Sequence, residues 1–326
     1  MSNKFKFIDL FAGIGGIRIP FEEFGGDCVF TSEWDKFSQI TYKANFSNLP
    51  KGDITLIKED EIPDFDILLG GFPCQAFSIA GKRQGFEDTR GTLFFDIARI
   101  IKYHKPKAFL LENVKGLLSH NKKETFKTIF SVLTNLNYNV FYKVLNAKDF
   151  GLPQNRERIY LVGFLDNNLE FNFPIPTYSK TNLGQILDTY VDEKYTISDK
   201  IWNSHQERKR KNKEKGWGFG YSIFNAESVY TSTLSARYYK DGSEILIEQK
   251  EKNPRKLTPK EASRLQGFPQ DFIIPVSDGQ AYKQFGNSVS VPVIRAISKE
   301  ILISLKILPN EDRRTRNEYK QLKINY

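Results

Sequence analysis

The sequence predicts an α/β fold with a mostly parallel sheet, joined to a smaller domain of mainly β structure. This prediction depends on two observations. From Phe5 to about Phe164, short apolar runs alternate with segments of helical period, which is the pattern of βαβ units. From about residue 180 to 275 this alternation is lost, and glycines stand among aromatic and charged residues. We therefore expect two structural units within the 326 residues.

Each element of the first unit is predicted from its own apolar pattern. Short apolar runs predict six strands, at 5–11, 28–33, 65–70, 108–114, 138–147 and 158–165. Apolar residues at helical spacing predict four helices, at 17–25, 35–46, 92–104 and 123–137. Pro20 should shorten or kink the first of these helices, because proline lacks the N–H that a helix interior uses.

The helical pattern returns near the end of the chain. Apolar residues recur at helical spacing over 293–308, and this helix could complete the first unit from its C-terminal side. We therefore predict a discontinuous first domain, residues 1–178 and 276–326, and a second domain, residues 179–275. The charge run at 205–215 is expected to be a solvated face, with phosphate contact as the alternative.

The charge balance favours a polyanionic partner. Lys and Arg number 48 against 39 Asp and Glu, which gives a net charge of +9, a bias found in proteins that bind nucleic acid or acidic membranes. Two cysteines and three histidines exclude a disulfide framework and offer no zinc-like ligand spacing. Because no apolar run is long enough to span a membrane, we expect a cytoplasmic protein. Because the histidines and cysteines lack zinc-like spacing, we also expect that it uses no metal.

The stretch DLFAGIGG follows the first predicted strand and precedes a helix, the position at which doubly wound folds bind a nucleotide. Gly13, Gly15 and Gly16 would let the backbone approach a ligand closely. The dinucleotide fingerprint is not completed, because Arg18 stands where it requires glycine. This departure argues against a nicotinamide enzyme.

Two acidic residues could bind the rest of a nucleoside. Glu33 follows Gly13 at about the distance at which a carboxylate accepts ribose hydroxyls. Asp53 is expected to close the third strand, where it could accept from an adenine amino group. With the glycines, these acids favour a nucleoside cofactor without pyrophosphate, S-adenosylmethionine. The alternative is a tight glycine turn with two solvated acids.

Cys74 follows the apolar strand DILLGG and Pro73, on a loop expected at the same edge of the sheet as the glycine motif. A thiolate is a soft, strong nucleophile, which suits conjugate addition. The alternative is a buried structural thiol, the role that we assign to Cys28.

Other polar residues are predicted at this edge. Glu112 ends the strand LLENV, and burial there would raise its pKa so that it could donate a proton at neutral pH. Arg156 and Arg158 stand two apart in QNRERIY and would share one face of an extended segment. Arginine forks bind carbonyl oxygens and phosphates.

In order and spacing, these motifs resemble those of the DNA (cytosine-5)-methyltransferases, most closely those of small bacterial members. The resemblance covers nearly the whole chain apart from the middle of 180–255. Its motifs are FIDLFAGIGG, SEWD, GDI, GGFPCQAFS, ENV, QNRERIY, LTPKEASRLQGFP and QAYKQFGNSVSVPV. One departure is Lys260, where the family often carries arginine.

The resemblance implies a Rossmann-like S-adenosylmethionine-dependent methyltransferase fold, with residues 179–275 as its target recognition domain. It implies that Cys74 adds to C6 of a cytosine flipped out of the duplex. Glu112 would act at N3 and Arg158 would bind O2, with Arg156 as the other arginine of the catalytic set. The residues implied in cofactor binding are Phe11, Gly13, Gly15, Glu33, Trp34, Asp53, Ile54, Leu93, Asn287 and Ser288. Those implied in DNA binding are Gln75, Ser78, Thr233, Leu234, Arg237 and Lys240.

The resemblance also implies partners. We expect double-stranded DNA with a short specific recognition sequence, a monomeric enzyme, no membrane, and a restriction endonuclease encoded separately. The alternative is a tRNA cytosine-5 methyltransferase of the DNA-methyltransferase-like family, which shares the catalytic motifs; the long basic middle segment argues for DNA. An inactive DNA-binding relative is disfavoured because Cys74, Glu112 and Arg158 are all present.

Overall fold

The computed structural model describes residues 5–73, 93–218 and 220–309. At its centre is a six-stranded sheet with the order β2-β1-β3-β4-β6-β5. Strand β6 runs antiparallel to both of its neighbours, and the other pairings are parallel. The strands are β1 Phe5–Leu10, β2 Gly26–Ser32, β3 Ile67–Gly71, β4 Ala108–Val114, β5 Asn139–Asn146 and β6 Glu157–Phe164. The six predicted strands and the α/β class are confirmed.

Helices cover both faces of this sheet. Along β1, alternate residues point to opposite faces, so Phe7 joins the apolar cluster on one face and Ile8 joins the cluster on the other. The first face is covered by α1 Arg18–Glu23 and α9 Val291–Ser304, and the second by α3 Leu93–His104 and α4 Glu124–Asn135. Helix α9 thus packs on the first unit, as the helical pattern near the chain end predicts.

The predicted helices of the first unit are confirmed. Helix α2, Lys36–Phe46, begins at a side-chain cap, in which Asp35 accepts from the N–H of Ser38 at 2.8 Å. Helix α1 contains Pro20 and has only six residues, in agreement with the expected shortening. Across the described ranges, no helix is long and apolar enough to cross a membrane.

The expectation of mainly β structure for residues 179–275 is corrected. Among the residues described there, strands β7 Ile223–Phe224 and β8 Leu246–Ile247 hold two residues each, whereas α5 Asp199–Glu214 holds sixteen. Ser198 caps α5, and Arg210 forms ion pairs with Glu207 and Glu214 at 2.7 Å each. These local interactions form a helix from the charge run, which is largely exposed, as expected of a solvated face.

A third apolar cluster joins the two units. It contains Leu234 and Leu257 from the predicted second domain, Phe285 and Val291 from the C-terminal part, and Ile14 from the glycine motif. Three short helices contribute to or border it. They are α6 Tyr238–Asp241, α7 Pro259–Leu265 and α8 Asp278–Asn287. The domain boundaries at 178 and 276 stay a prediction, and the shared cluster means that the units are packed through a common core.

Candidate active site

A cavity of about 650 Å³ lies where β1, β3 and β4 end. The carboxyl ends of parallel strands are where open α/β sheets bind ligands. Its walls come from the turn after β1, the segment after β2, the beginning of β6, and the end of α8 with the two residues after it. The predicted residues among them are Phe11, Gly13, Glu33, Trp34, Asp53, Ile54, Leu93, Glu112, Arg156, Arg158, Asn287 and Ser288. The structure therefore brings these distant motifs together around one space.

The turn after β1 forms one wall. Gly13 has φ +55°, and a Cβ added to it would meet no atom within 4 Å, so this glycine is required by its backbone conformation. Gly15 is not among the residues that line the cavity, and its contact with the cofactor stays a prediction. A Cβ on Gly15 would lie 2.2 Å from the Phe46 ring, because α2 packs directly against this residue.

Gly16, the third glycine of the motif, is not among the cofactor-binding residues that the family resemblance implies. It lines the cavity, and a Cβ there would lie 2.8 Å from Ser288 Oγ and 2.9 Å from Val289. The motif DLFAGIGG offers a signal for this role of Gly16, because it carries a third glycine. Which glycine faces the cavity depends on contacts with residues more than two hundred positions away.

Glu33 is a buried carboxyl held by the main chain. Its Oε2 accepts from the N–H of Gly13 at 2.7 Å, and its Oε1 accepts from the N–H of Asp35 at 2.8 Å. Burial raises the pKa of Glu33, and these N–H donors oppose that rise. The neighbouring Trp34 side chain is 77% exposed, so its ring is free to stack on a ligand in the cavity.

Asp53 lines the cavity, but the secondary structure around it differs from the prediction. It does not close a strand. It caps the 3-10 turn Ile54–Leu56, where its side chain accepts from the N–H of Thr55 at 3.0 Å. Before it, Lys51 makes only an isolated bridge with Ser32, so the third strand along the chain is β3.

Glu112 and Arg158 form the second polar wall. Arg158 Nε lies 3.1 Å from Glu112 Oε1, and both side chains are nearly buried, at 14% and 11% exposure. Burial raises the pKa of Glu112, while the positive charges of Arg158 and then Arg156 oppose that rise. The antiparallel ladder positions the pair, since Val114 is opposite Arg158 and Glu112 is opposite Tyr160.

Asn113 fixes the end of β3 beside this pair. Its side chain is buried, and its Nδ2 donates to the carbonyl of Phe72 at 2.9 Å. Pro73 follows and lines the cavity. Cys74, Gln75 and Ser78 lie outside the described residues.

Arg156 is placed differently from Arg158. It is buried and lies one residue before β6, and both arginines line the cavity. Its Nη1 donates to the carbonyl of Leu234 at 2.9 Å, and its Nη2 donates to the carbonyls of Gly286, at 3.0 Å, and Ser288. Main-chain oxygens therefore occupy both Nη groups of Arg156.

The predicted DNA contacts fall into two groups. Arg237 and Lys240 are exposed, next to and within α6. Thr233 is half-buried, and its Oγ1 donates to the carbonyl of Asn155 at 2.6 Å. Leu234 is completely buried in the third cluster, so its side chain supports this segment from inside and does not face a groove. No group of three or more His, Cys, Asp or Glu residues in the described part of the chain could hold a metal ion.

Comparisons with known proteins show what this chain is similar to. Residues 5–303 match the family described as C-5 cytosine-specific DNA methylase. The Type II methyltransferase M.SsoII of Shigella sonnei is 63% identical over 309 residues, which cover 93% of this chain and 82% of that protein. The Type II methyltransferase M.NlaX of Neisseria lactamica is 61% identical over 304 residues, covering 92% and 97%.

A solved structure shows the same fold. The crystal structure of a DNMT2 variant from Spodoptera frugiperda matches with a TM-score of 0.76 at 23% identity, covering 91% of this chain and 99% of that one. The Rossmann-like class predicted from the motifs is thereby confirmed.

Proposed function

The chain belongs to the C-5 cytosine-specific DNA methylases and is a DNA (cytosine-5)-methyltransferase, and from this premise we propose how its residues carry out the reaction. We further propose that it is the modification enzyme of a restriction–modification system. The names of its relatives, Type II methyltransferases, support this role. They also favour DNA over tRNA as the substrate.

The Glu112–Arg158 pair is the observation that supports the catalytic proposal. A buried carboxyl with a raised pKa and a guanidinium 3.1 Å away line one cavity. A cytosine offers N3 and the exocyclic amine on one edge and O2 beside them, which are partners for these two groups. In the proposal, Glu112 donates to or protonates N3, and Arg158 donates to O2.

The cofactor of the family is S-adenosylmethionine, and the cavity fits it. Its volume of about 650 Å³ is in the range of small-molecule sites. Glu33 offers oxygens for ribose hydroxyls, the exposed Trp34 ring can stack on adenine, and Asp53 can accept from the adenine amino group. Asn287 and Ser288 also line the cavity, where they would hold the amino-acid end. When bound, this cofactor supplies an electrophilic methyl group on a sulfonium.

Cys74 is proposed as the nucleophile. Its thiolate would add to C6 of the cytosine while Glu112 supplies a proton at N3, so that negative charge does not build up on the ring. The resulting enamine makes C5 nucleophilic enough to take the methyl group. Loss of the C5 proton to a base, expulsion of the Cys74 thiolate and return of the N3 proton to Glu112 would then restore the neutral aromatic ring. Arg158 would hold O2 throughout these steps.

DNA is proposed to approach from the side of Arg237 and Lys240. The target cytosine must leave the base stack to reach the cavity, because its C5 and C6 atoms are inaccessible in a duplex. Arg237 and Lys240 are exposed and could contact base edges or phosphates, and Gln75 and Ser78 would add contacts near Cys74. We propose a short specific recognition sequence, a monomeric enzyme and a separately encoded endonuclease partner.

Replacement of the nucleophile tests this proposal. Cys74→Ser should lose methyl transfer to duplex DNA while it keeps cofactor binding, and Cys28→Ser is the matched control that should stay active. The wild-type enzyme should form a covalent complex with a duplex that carries 5-fluorocytosine at its site. Bisulfite sequencing of DNA from an expressing host identifies that site, and parallel assays on tRNA test the alternative substrate. Full activity in Cys74→Ser would contradict the mechanism.

A further inference from the structure

Arg156 connects two segments that flank the cavity. We name residues 231–237 the target loop, because they hold three of the predicted DNA contacts. We name residues 286–288, which are the last two residues of α8 and the residue after it, the cofactor loop. The guanidinium of Arg156 donates to the carbonyl of Leu234 in the first and to those of Gly286 and Ser288 in the second. Each contact spans a long stretch of chain, 78, 130 and 132 positions. A single side chain therefore joins segments that are far apart in sequence.

The segment that carries Arg156 also binds the target loop directly. The N–H of Thr231 donates to the carbonyl of Pro153, and the N–H of Asn155 donates to the carbonyl of Thr231, both at 2.9 Å. The buried amide of Gln154 accepts from the N–H of Leu234 at 3.0 Å. The target loop is thus held at several points against the residues that precede β6.

The two loops also touch each other without an intervening side chain. A Cβ on Gly286 would lie 2.3 Å from the carbonyl oxygen of Ser235, so only glycine allows this approach. A displacement of the target loop would therefore press on the cofactor loop at Gly286, next to Asn287 and Ser288.

Burial makes the Arg156 contacts difficult to break one at a time. The side chain is 2% exposed, and burial lowers the pKa of Arg156 to about 9, helped by the charge of Arg158. It remains a cation at neutral pH. If either loop moved away, a buried charged donor would lose its acceptor, which costs more than an ordinary hydrogen bond. The loops therefore keep their relative position or change it together.

We propose that Arg156 is a positioning residue that couples the two loops, so that a cofactor in the cavity tightens DNA binding and DNA tightens cofactor binding. This inference rests on the proposed function, which assigns one loop to DNA and the other to the cofactor. A ligand that fixes one loop fixes the other through Arg156, and the second ligand then binds a segment that is already ordered. By linkage, the two enhancements must be equal.

The test measures the affinity for a duplex carrying the site found by bisulfite sequencing, with and without S-adenosylhomocysteine. For the wild type we expect the product to tighten DNA binding by roughly 5- to 150-fold. In Arg156→Lys, a single ammonium cannot hold both loops, so this ratio should fall to about 1 while each ligand alone still binds within a few-fold of wild type. Arg210→Lys, on the exposed face of α5, is the matched control and should keep the wild-type ratio.

A second variant tests the coupling between the two loops if Arg156→Lys does not fold. Gln154→Met removes the acceptor for the N–H of Leu234 and leaves the Arg156 contact with Ser288, so it should lower the ratio without changing affinity for S-adenosylhomocysteine alone. A wild-type ratio in a folded variant, or no enhancement in the wild type, overturns the inference. Methylation of the same duplex by the wild type is measured first; its absence would count against the proposed function instead.

Discussion

The cavity has a buried carboxyl on each of two walls, and these carboxyls are held in different ways. Glu33 accepts from the main-chain N–H groups of Gly13 and Asp35. Glu112 faces the guanidinium of Arg158. Burial raises the pKa of both carboxyls, so the difference between them lies in their partners.

This difference separates a binding group from a reacting group. Main-chain donors are neutral and fixed, so they hold Glu33 in one orientation whether or not a ligand is present. A guanidinium carries a full charge on a side chain that can adjust its position, so the Glu112 pair can respond as charge develops on a bound base. Four substitutions test this comparison, in order of the effect that we expect.

Glu112→Gln should have the largest effect. Glutamine keeps the size of the side chain but cannot transfer a proton to N3, so the rate of methyl transfer should fall by about 10²- to 10⁴-fold. Single-turnover transfer of a labelled methyl group to duplex DNA measures this rate. Binding of S-adenosylhomocysteine to the variant should match that of the wild type. An unchanged rate would remove Glu112 from the chemistry.

Glu33→Gln should act mainly on cofactor binding. The amide cannot accept from both Gly13 and Asp35, and one N–H group would be left facing a donor. We expect the KM for S-adenosylmethionine to rise roughly 10- to 100-fold, as for the loss of one or two hydrogen bonds to a charged group. The kcat should change much less. Initial rates over a range of cofactor concentrations separate the two; an equal loss in kcat would place Glu33 with Glu112.

Gly16→Ala tests the close approach between the glycine turn after β1 and the residues that follow α8. The new Cβ would come within 2.8 Å of Ser288 Oγ and 2.9 Å of Val289, so the two sides of the cavity must move apart. A several-fold weaker binding of S-adenosylhomocysteine is expected by calorimetry. Gly279→Ala is the matched control, because a Cβ there meets no atom within 4 Å. Equal binding by both variants would show that this close approach is not required.

Asp9 extends the comparison to a carboxyl that has no hydrogen-bond partner among the described residues. Both of its oxygens are buried without a hydrogen bond among the described residues. Burial raises the pKa of Asp9 from 3.8 to about 8, with Arg18 opposing the rise and Glu33 and Glu22 adding to it. Between about pH 4 and pH 8 the folded state therefore holds a proton that the unfolded chain has released.

Asp9→Asn should consequently change how stability depends on pH. In the wild type, Asp9 should lower the free energy of unfolding as the pH rises toward 8, by up to about 1.4 kcal/mol per pH unit. Asparagine does not titrate, so the variant should lose less stability between pH 6 and pH 8. Urea unfolding of both proteins at these pH values measures the difference. Parallel profiles would mean that Asp9 is ionised in the folded state.

The sheet could be predicted from sequence because its strands carry their own pattern. Strands β3 and β4 are continuous apolar runs, which is typical of strands covered on both faces. Helix α5 has no such pattern, since only His205 among its sixteen residues is buried. The Ser198 cap and the ion pairs of Arg210 stabilise this helix, so it could not be predicted from apolar periodicity.

Site residues could be predicted where a single sequence motif supplies them. They could not be predicted where contacts with a distant segment determine their position. Glu33 and Glu112 follow from their motifs. The position of Gly15 depends on the packing of Phe46 against it, and the position of Arg156 depends on its partners at Leu234 and Ser288. Such contacts are set by tertiary packing, which residue spacing in one sequence does not report.

The reversed direction of β6 has a consequence for how the catalytic pair forms. Glu112 comes from the end of one strand and Arg158 from the beginning of the next, and only an antiparallel neighbour brings such positions side by side. In a parallel arrangement Arg158 would lie at the opposite rim, roughly 20 Å away at about 3.3 Å per residue. A one-residue slip between the strands would turn its side chain to the other face. A misregistered chain could thus carry every motif of the family and still be unable to react.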